Sequence, residues 1–284
     1  MTPLRQQFIG ALKLKGFSES TIENYVCAVA GMARYFRRSP LELTKEQIRS
    51  YLLFLVEGKR LAPATVNLHM DAMKTFFRIM VPNSTIMEDC SHVKTPKRIP
   101  LVLSREEVEK LISATPNLKH KAALMLLYSS GLRLRECLTL RPVHIESDRM
   151  KVRVEQGKGK KDRYTVLSRR TLDTLREYYR AFRPKQWLFE GRDGKCYSAR
   201  SLATIVLKAC MRARLDKKVS PHTLRHSFAT HLMESGVPLP VIQQLLGHTS
   251  IKTTMIYLHV GDSAVNRTQS PLDSKELLEV SAHG

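Results

Sequence analysis

Apolar residues recur at intervals of three and four through the first 80 positions, interrupted by polar turns, a period that predicts a run of helices. Two candidate helix entries, Ser20-Thr-Ile-Glu23 and Thr44-Lys-Glu-Gln47, fit the capping-box pattern, in which a hydroxyl and a residue three positions later satisfy each other's backbone N–H groups. The stretch LAPATVNLHMDAMKTFFRIM then places Val66, Met70, Met73 and Phe77 on one face of a longer helix. The period lapses in VPNSTIMEDCSHVKTPKRIP, which has three prolines and a basic cluster and reads as a linker.

Past the linker, Ser104-Arg-Glu-Glu107 opens another helix and HKAALMLLYSSGLRLRECLTL predicts a more hydrophobic one. RMKVRVEQGKGKKDRYTVL reads as two strands around a glycine-containing turn, and the rest is again helical. The expected fold is mainly α with a small β-sheet: a helical domain over residues 1–81, a linker over 82–97 and a mixed α+β domain over 98–284.

Charge changes what this fold is expected to meet. Among 284 residues, 47 Lys and Arg face 26 Asp and Glu, a net charge of +21. Residues 1–92 carry +4 of it and residues 93–284 carry +17. A polyanion is the implied partner, nucleic acid first, although a membrane surface or an acidic protein would also be attracted. No apolar run of bilayer length exists and the first residues lack a signal-peptide core, so a cytoplasmic protein is expected. The five cysteines, at 27, 90, 137, 196 and 210, are too scattered for a zinc ribbon or a disulfide framework.

Nucleotide-loop and metalloprotease motifs are missing, and no compact acidic set would hold Mg²⁺, so neither metal nor cofactor is expected. Chemistry on nucleic acid would then fall to cationic side chains, and four stretches supply them. In SSGLRLRECLTL, Arg133 precedes Glu136 by one helical turn, a pairing that fits both a phosphate-binding guanidinium held by a carboxylate and a solvated helix salt bridge. In QGKGKKDRY, Lys158 stands at a hairpin tip with Lys160 and Arg163 behind it, where a lysine could protonate a departing oxygen or merely brush a DNA backbone.

In SPHTLRHSFATHL, Ser220 caps a helix whose first turn contains Pro221, with His222 and Arg225 on one face. His222 and His226, four apart, also fit a metal pair or two satisfied helix residues. In VIQQLLGHTSIKTTMIYLHV, a helix ends at Gly247, His248 stands in the break and a new helix carries Tyr257. A tyrosine among Met255, Ile256 and Leu258 fits a packing residue as well as a nucleophile.

Taken together, G-L-R-x-x-E, G-K-G-x-K-x-R, H-x-L-R-H and L-G-H with a tyrosine nine residues later resemble the tyrosine recombinase (phage integrase) family, closest to its short Xer-like and integron-like members. The resemblance covers nearly the whole chain and implies a SAM-like core-binding domain followed by a catalytic domain. It implies that Tyr257 attacks a scissile phosphate to form a 3′-phosphotyrosyl bond and release a 5′-hydroxyl. Arg133 and Arg225 would bind the non-bridging oxygens and Lys158 would protonate the leaving oxygen. His222 would assist proton transfer from the tyrosine, His248 would donate to the phosphate and Glu136 would orient the site.

The implied partner is double-stranded DNA with specific recombination sites, clamped between the domains and bound by a homotetramer on two duplexes, alone or with a related recombinase. The tail, SPLDSKELLEV with Leu272, Leu277 and Leu278, is expected to dock on a neighbouring protomer or to fold back on its own domain. Candidate DNA contacts are Lys45, Arg60, Asn67, Lys74, Lys160 and Arg163. Type IB topoisomerase or telomere resolvase activity, or a silent DNA-binding protein of the same fold, are the alternatives.

Overall fold

A computed structural model describes residues 2–96, 99–155 and 162–259 of the chain. It divides into two compact units, Met1–Lys97 and Arg98–Gly284. The expected tail contact, with Leu272, Leu277 and Leu278, lies outside the described residues.

The first unit consists of α1 (Pro3–Leu14), α2 (Glu19–Phe36), α3 (Lys45–Leu53) and α4 (Pro63–Met80), with a π-turn over Phe54–Gly58 after α3. Val26, Val29 and Met32 of α2 share a core with Val66, Met70, Met73 and Phe77 of α4, the face read from the sequence. Thr44 and Gln47 form their capping box, Thr44 N–H donating to Gln47 Oε1 at 3.0 Å and Gln47 N–H to Thr44 Oγ1 at 3.3 Å. The other expected box is corrected: α2 is capped by Ser18, whose hydroxyl accepts from Thr21 N–H at 3.3 Å, and Ser20 lies inside the first turn. The segment read as a linker is largely fastened to this unit. Met87 and Cys90 are buried in its core, and the Asn67 amide clasps Val93, accepting its N–H at 2.8 Å and donating to its carbonyl at 2.9 Å.

The second unit begins with α5 (Arg105–Ser113) and α6 (Leu118–Ser129). Every residue of α6 from Ala122 to Leu127 is buried, so this helix runs through the core rather than over it. The hydrophobic run read as one helix breaks at Gly131, whose φ of +59° reverses the chain before the short α7 (Leu134–Leu138). Three strands follow, one more than expected: β1 (Ile145–Glu146), β2 (Lys151–Val154) and β3 (Arg163–Val166), antiparallel in that order, with Val152 opposite Thr165 and Val154 opposite Arg163. Then come α8 (Arg169–Phe182), α9 (Ala199–Arg212), α10 (Pro221–Glu234), α11 (Leu239–Leu246) and α12 (Ile251–Thr254), ending in a 3₁₀ turn over Met255–His259. Tyr257 thus sits on a 3₁₀ turn, not on an α-helix. Among the described residues, no helix is long and apolar enough to cross a membrane.

Candidate active site

The C-terminal end of α11 organises the site. The last carbonyls of a helix have no partner within it and carry its negative dipole end. Here three consecutive carbonyls each accept from an arginine: Leu245 from Arg163 Nε at 2.9 Å, Leu246 from Arg225 Nη2 at 2.6 Å and Gly247 from Arg133 Nη2 at 3.1 Å. Gly247 closes the helix at φ 63°, ψ 47°, and a Cβ there would meet Arg163 Cδ at 2.7 Å. Only a glycine provides both the left-handed turn and the space.

A single carboxylate holds the same three cations from the other side. Glu136 accepts both ends of the Arg163 fork at 2.8 Å each, Arg133 Nη1 at 2.7 Å and the Arg133 backbone N–H at 2.7 Å, with Arg225 Nη1 at 3.8 Å. Burial alone would raise its pKa, but the arginines and the backbone donor outweigh burial and hold it at about 2. Arg225, only 3% exposed, also donates to the Gly131 carbonyl at 2.6 Å, which uses the turn at that glycine. Burial and Arg133 pull its pKa down to about 9, still cationic at neutral pH, with Glu136 opposing. Three guanidiniums around one carboxylate leave two positive charges in excess in a largely buried place, the complement of a phosphodiester.

His222, Arg225 and His226 lie on one face of α10 because they are three and four residues apart. His222 is exposed. His248, in the break after α11, places Nδ1 2.9 Å from Oγ1 of buried Thr254. Burial and the three arginines lower its pKa to about 4. Tyr257 is 1% exposed and packs among Phe228, Ala229, Ile242 and Leu246. Burial raises the pKa of its phenol, opposed by the charges of Arg225 and Arg133. Its hydroxyl lies 3.0 Å from Nδ1 of His226.

The structure therefore brings Arg133, Glu136, His222, Arg225, His248 and Tyr257 into one neighbourhood, while Lys158 lies outside the described residues. The histidine on the phenol is His226 rather than His222; the sequence offers His226 as half of a metal pair or as a satisfied helix residue, and its position one turn from His222 on the Arg225 face is the signal for a further role. Among the described residues, no group of three or more His, Cys, Asp or Glu side chains is placed to hold a metal ion.

The proposed DNA contacts fare differently. Arg163, an expected DNA contact, sets both ends of its fork on Glu136 and its Nε on the Leu245 carbonyl, with a side chain less than a tenth exposed, so it braces the site. Asn67 is likewise committed to Val93, and Lys45 pairs with Asp89. Arg60 is exposed, Lys74 is half-buried beside Arg78 and Asn83, and Lys160 lies outside the described residues.

Comparison with known proteins points the same way. Residues 102–264 match the phage integrase family, and residues 4–84 match the phage integrase N-terminal SAM-like domain. A Sinorhizobium fredii protein named as an integrase/recombinase, y4qK, is 40% identical over 275 residues, spanning 96% of this chain and 89% of its own. A tyrosine recombinase of Thermosipho africanus is 35% identical over 257 residues, spanning 86% and 90%. The fold resembles the XerH site-specific recombinase in a post-cleavage complex with its palindromic DNA substrate, with a TM-score of 0.69 at 23% identity, spanning 92% of this chain and 78% of that one.

Proposed function

The chain belongs to the phage integrase family of tyrosine recombinases, and from that membership we propose that it exchanges DNA strands at specific sites with Tyr257 as its nucleophile. The observation that carries the residue assignment is the triad of arginines fixed between Glu136 and the α11 carbonyls, close enough to Tyr257 for Arg225 and Arg133 to act on its phenol.

A phosphodiester entering this excess of positive charge is oriented by the N–H donors that Arg133 and Arg225 keep free of Glu136 and the carbonyls. Charge that builds on the non-bridging oxygens in the transition state meets donors already in place, so little reorganisation is needed. Tyr257 Oη attacks phosphorus, the P–O5′ bond breaks, and Lys158 protonates the departing oxygen. His222, exposed and one helical turn from Arg225, stands beside the phosphate-binding arginine, and His248, its Nδ1 engaged by Thr254, directs Nε2 at the phosphate. The bond energy is retained in the protein–DNA link, so a second 5′-hydroxyl reverses the step and reseals the strand without ATP. Exchange between two duplexes calls for four protomers acting in pairs. The proposed place of action is the cytoplasm.

The burial of Tyr257 gives the silent DNA-binding reading its specific support, and one experiment separates the two. The wild-type chain is offered a library of randomised nicked duplexes, and covalent protein–DNA adducts are selected. Adducts that disappear in Tyr257→Phe support strand transfer; specific binding with no adduct supports the silent protein.

A further inference from the structure

Resting on Tyr257 as the nucleophile, we propose that His226 is a further catalytic residue: it accepts the phenolic proton as the strand is cut and returns it as the strand is rejoined.

The described hydrogen-bond partner of the Tyr257 hydroxyl is His226 Nδ1 at 3.0 Å, within reach for direct proton transfer. Ring centroids 5.7 Å apart put the imidazole beside the phenol, and α10, where Thr223–Arg225 and Ser227–His231 are buried, fixes the backbone that carries it. His226 also follows Arg225 in the chain, so one helical step separates the group that holds the phosphate from the group that holds the nucleophile.

The groups facing His226 make its basicity depend on substrate. His222 and Arg225 face it from its own helix, Tyr257 from the 3₁₀ turn and His248 from the break after α11. Burial, then His222 and Arg225, lower its pKa to about 4, so the imidazole is neutral at physiological pH and, in the tautomer protonated at Nε2, presents its lone pair at Nδ1 to the phenol. A phosphodiester anion seated on Arg225 offsets the cationic field and raises that basicity. The base is thus weak in the free chain and strengthened when the scissile phosphate arrives, which restrains Tyr257 from ionising without DNA.

The step balances. The Oη–H proton passes to Nδ1, the Oη electron pair forms the Oη–P bond, and the P–O5′ pair leaves with the 5′-oxygen, which takes its proton from the separate acid assigned to Lys158. In rejoining, the 5′-hydroxyl attacks phosphorus, the P–Oη bond breaks, and Nδ1 returns the proton to Oη.

The test uses nicked duplexes selected as adducts by the wild-type chain; failure to select any would overturn the reading of Tyr257 and this proposal with it. His226→Asn keeps a polar group near Nδ1 that cannot take up a proton, and adduct formation should fall by about 10²-fold at neutral pH with DNA affinity retained. Placing 3,5-difluorotyrosine at position 257, whose phenol is far more acidic, should restore most of that loss. A bridging 5′-phosphorothiolate, whose sulfur leaves without protonation, should not. An unimpaired His226→Asn, rescue by the sulfur leaving group, or equal effects of fluorination on wild type and variant would each overturn the assignment. If His226→Asn does not fold, the wild-type chain carrying difluorotyrosine decides: the acid limb of its pH–rate profile should flatten, and an unchanged limb would overturn the proposal.

Discussion

Arg163 and Glu136 meet as two planar forks, Nη1 to Oε1 and Nη2 to Oε2, both at 2.8 Å and both side chains less than a tenth exposed. Each presents a rigid pair of atoms to the other, and the remaining Arg163 Nε is taken by the Leu245 carbonyl. Removing one partner from a buried pair leaves the other desolvated and unmatched. Arg163→Ala should therefore lower stability by about 3–5 kcal/mol. Arg163→Lys should recover little, because a single ammonium cannot reproduce the fork. Denaturant midpoints for the two variants check this; near-wild-type stability in Arg163→Ala would contradict it.

Gly247 ties the helix terminus to the cations. Gly247→Ala adds a Cβ in a left-handed conformation, costing about 1–2 kcal/mol, and drives it against Arg163 Cδ. The expected result is a lower melting temperature together with slower adduct formation, since the carbonyl that holds Arg133 is displaced as well.

The buried hydroxyl of Thr254 lies 2.9 Å from His248 Nδ1. Thr254→Val keeps the shape and removes the hydrogen bond to Nδ1. Stability should fall by about 1 kcal/mol. Adduct formation should fall further than that change explains, because the ring loses the contact that orients Nε2. Equal rates in variant and wild type would show that His248 is held by packing alone.

Acid should destabilise the chain in two windows. The folded state lowers His226 and His248 from 6.5 to about 4, so the unfolded chain takes up protons first and stability falls as pH drops from about 6.5 to about 4. Glu136, lowered from 4.5 to about 2, contributes stability that is full above 4.5 and lost as pH falls towards 2. Melting temperatures across pH check the sign: His226→Asn should make the upper window shallower, leaving the part that His248 contributes, and leave the lower one in place.

Much of the site was legible in the sequence, and the rest was not for identifiable reasons. Arg133, Glu136, His222, Arg225, His248 and Tyr257 stood out because four short motifs share one chemistry. The structural role of Arg163 did not, because a cation behind a basic hairpin looks solvent-facing until the fold brings Glu136 to it. The carbonyls of Leu245, Leu246 and Gly247 have no letter in a sequence, so the frame that positions the arginines was invisible, though Gly247 marked its place. Helices were read more securely than their ends: Thr44 and Ser104 were found as caps, whereas Ser18 and Ser20 are both plausible from pattern and only backbone geometry chooses. The break at Gly131 was overridden by the hydrophobicity on either side, and a two-residue β1 is too short to leave a period.

The most direct measurement is to digest the covalent adduct of the wild-type chain with protease and nuclease and to map the nucleotide-bearing residue by mass spectrometry. The expected result is a 3′-phosphoryl nucleotide on Tyr257, with a free 5′-hydroxyl on the released strand. A nucleotide on any other residue, a 5′-phosphoryl linkage, or an adduct that persists in Tyr257→Phe would contradict the assignment of Tyr257 as the residue that breaks the strand.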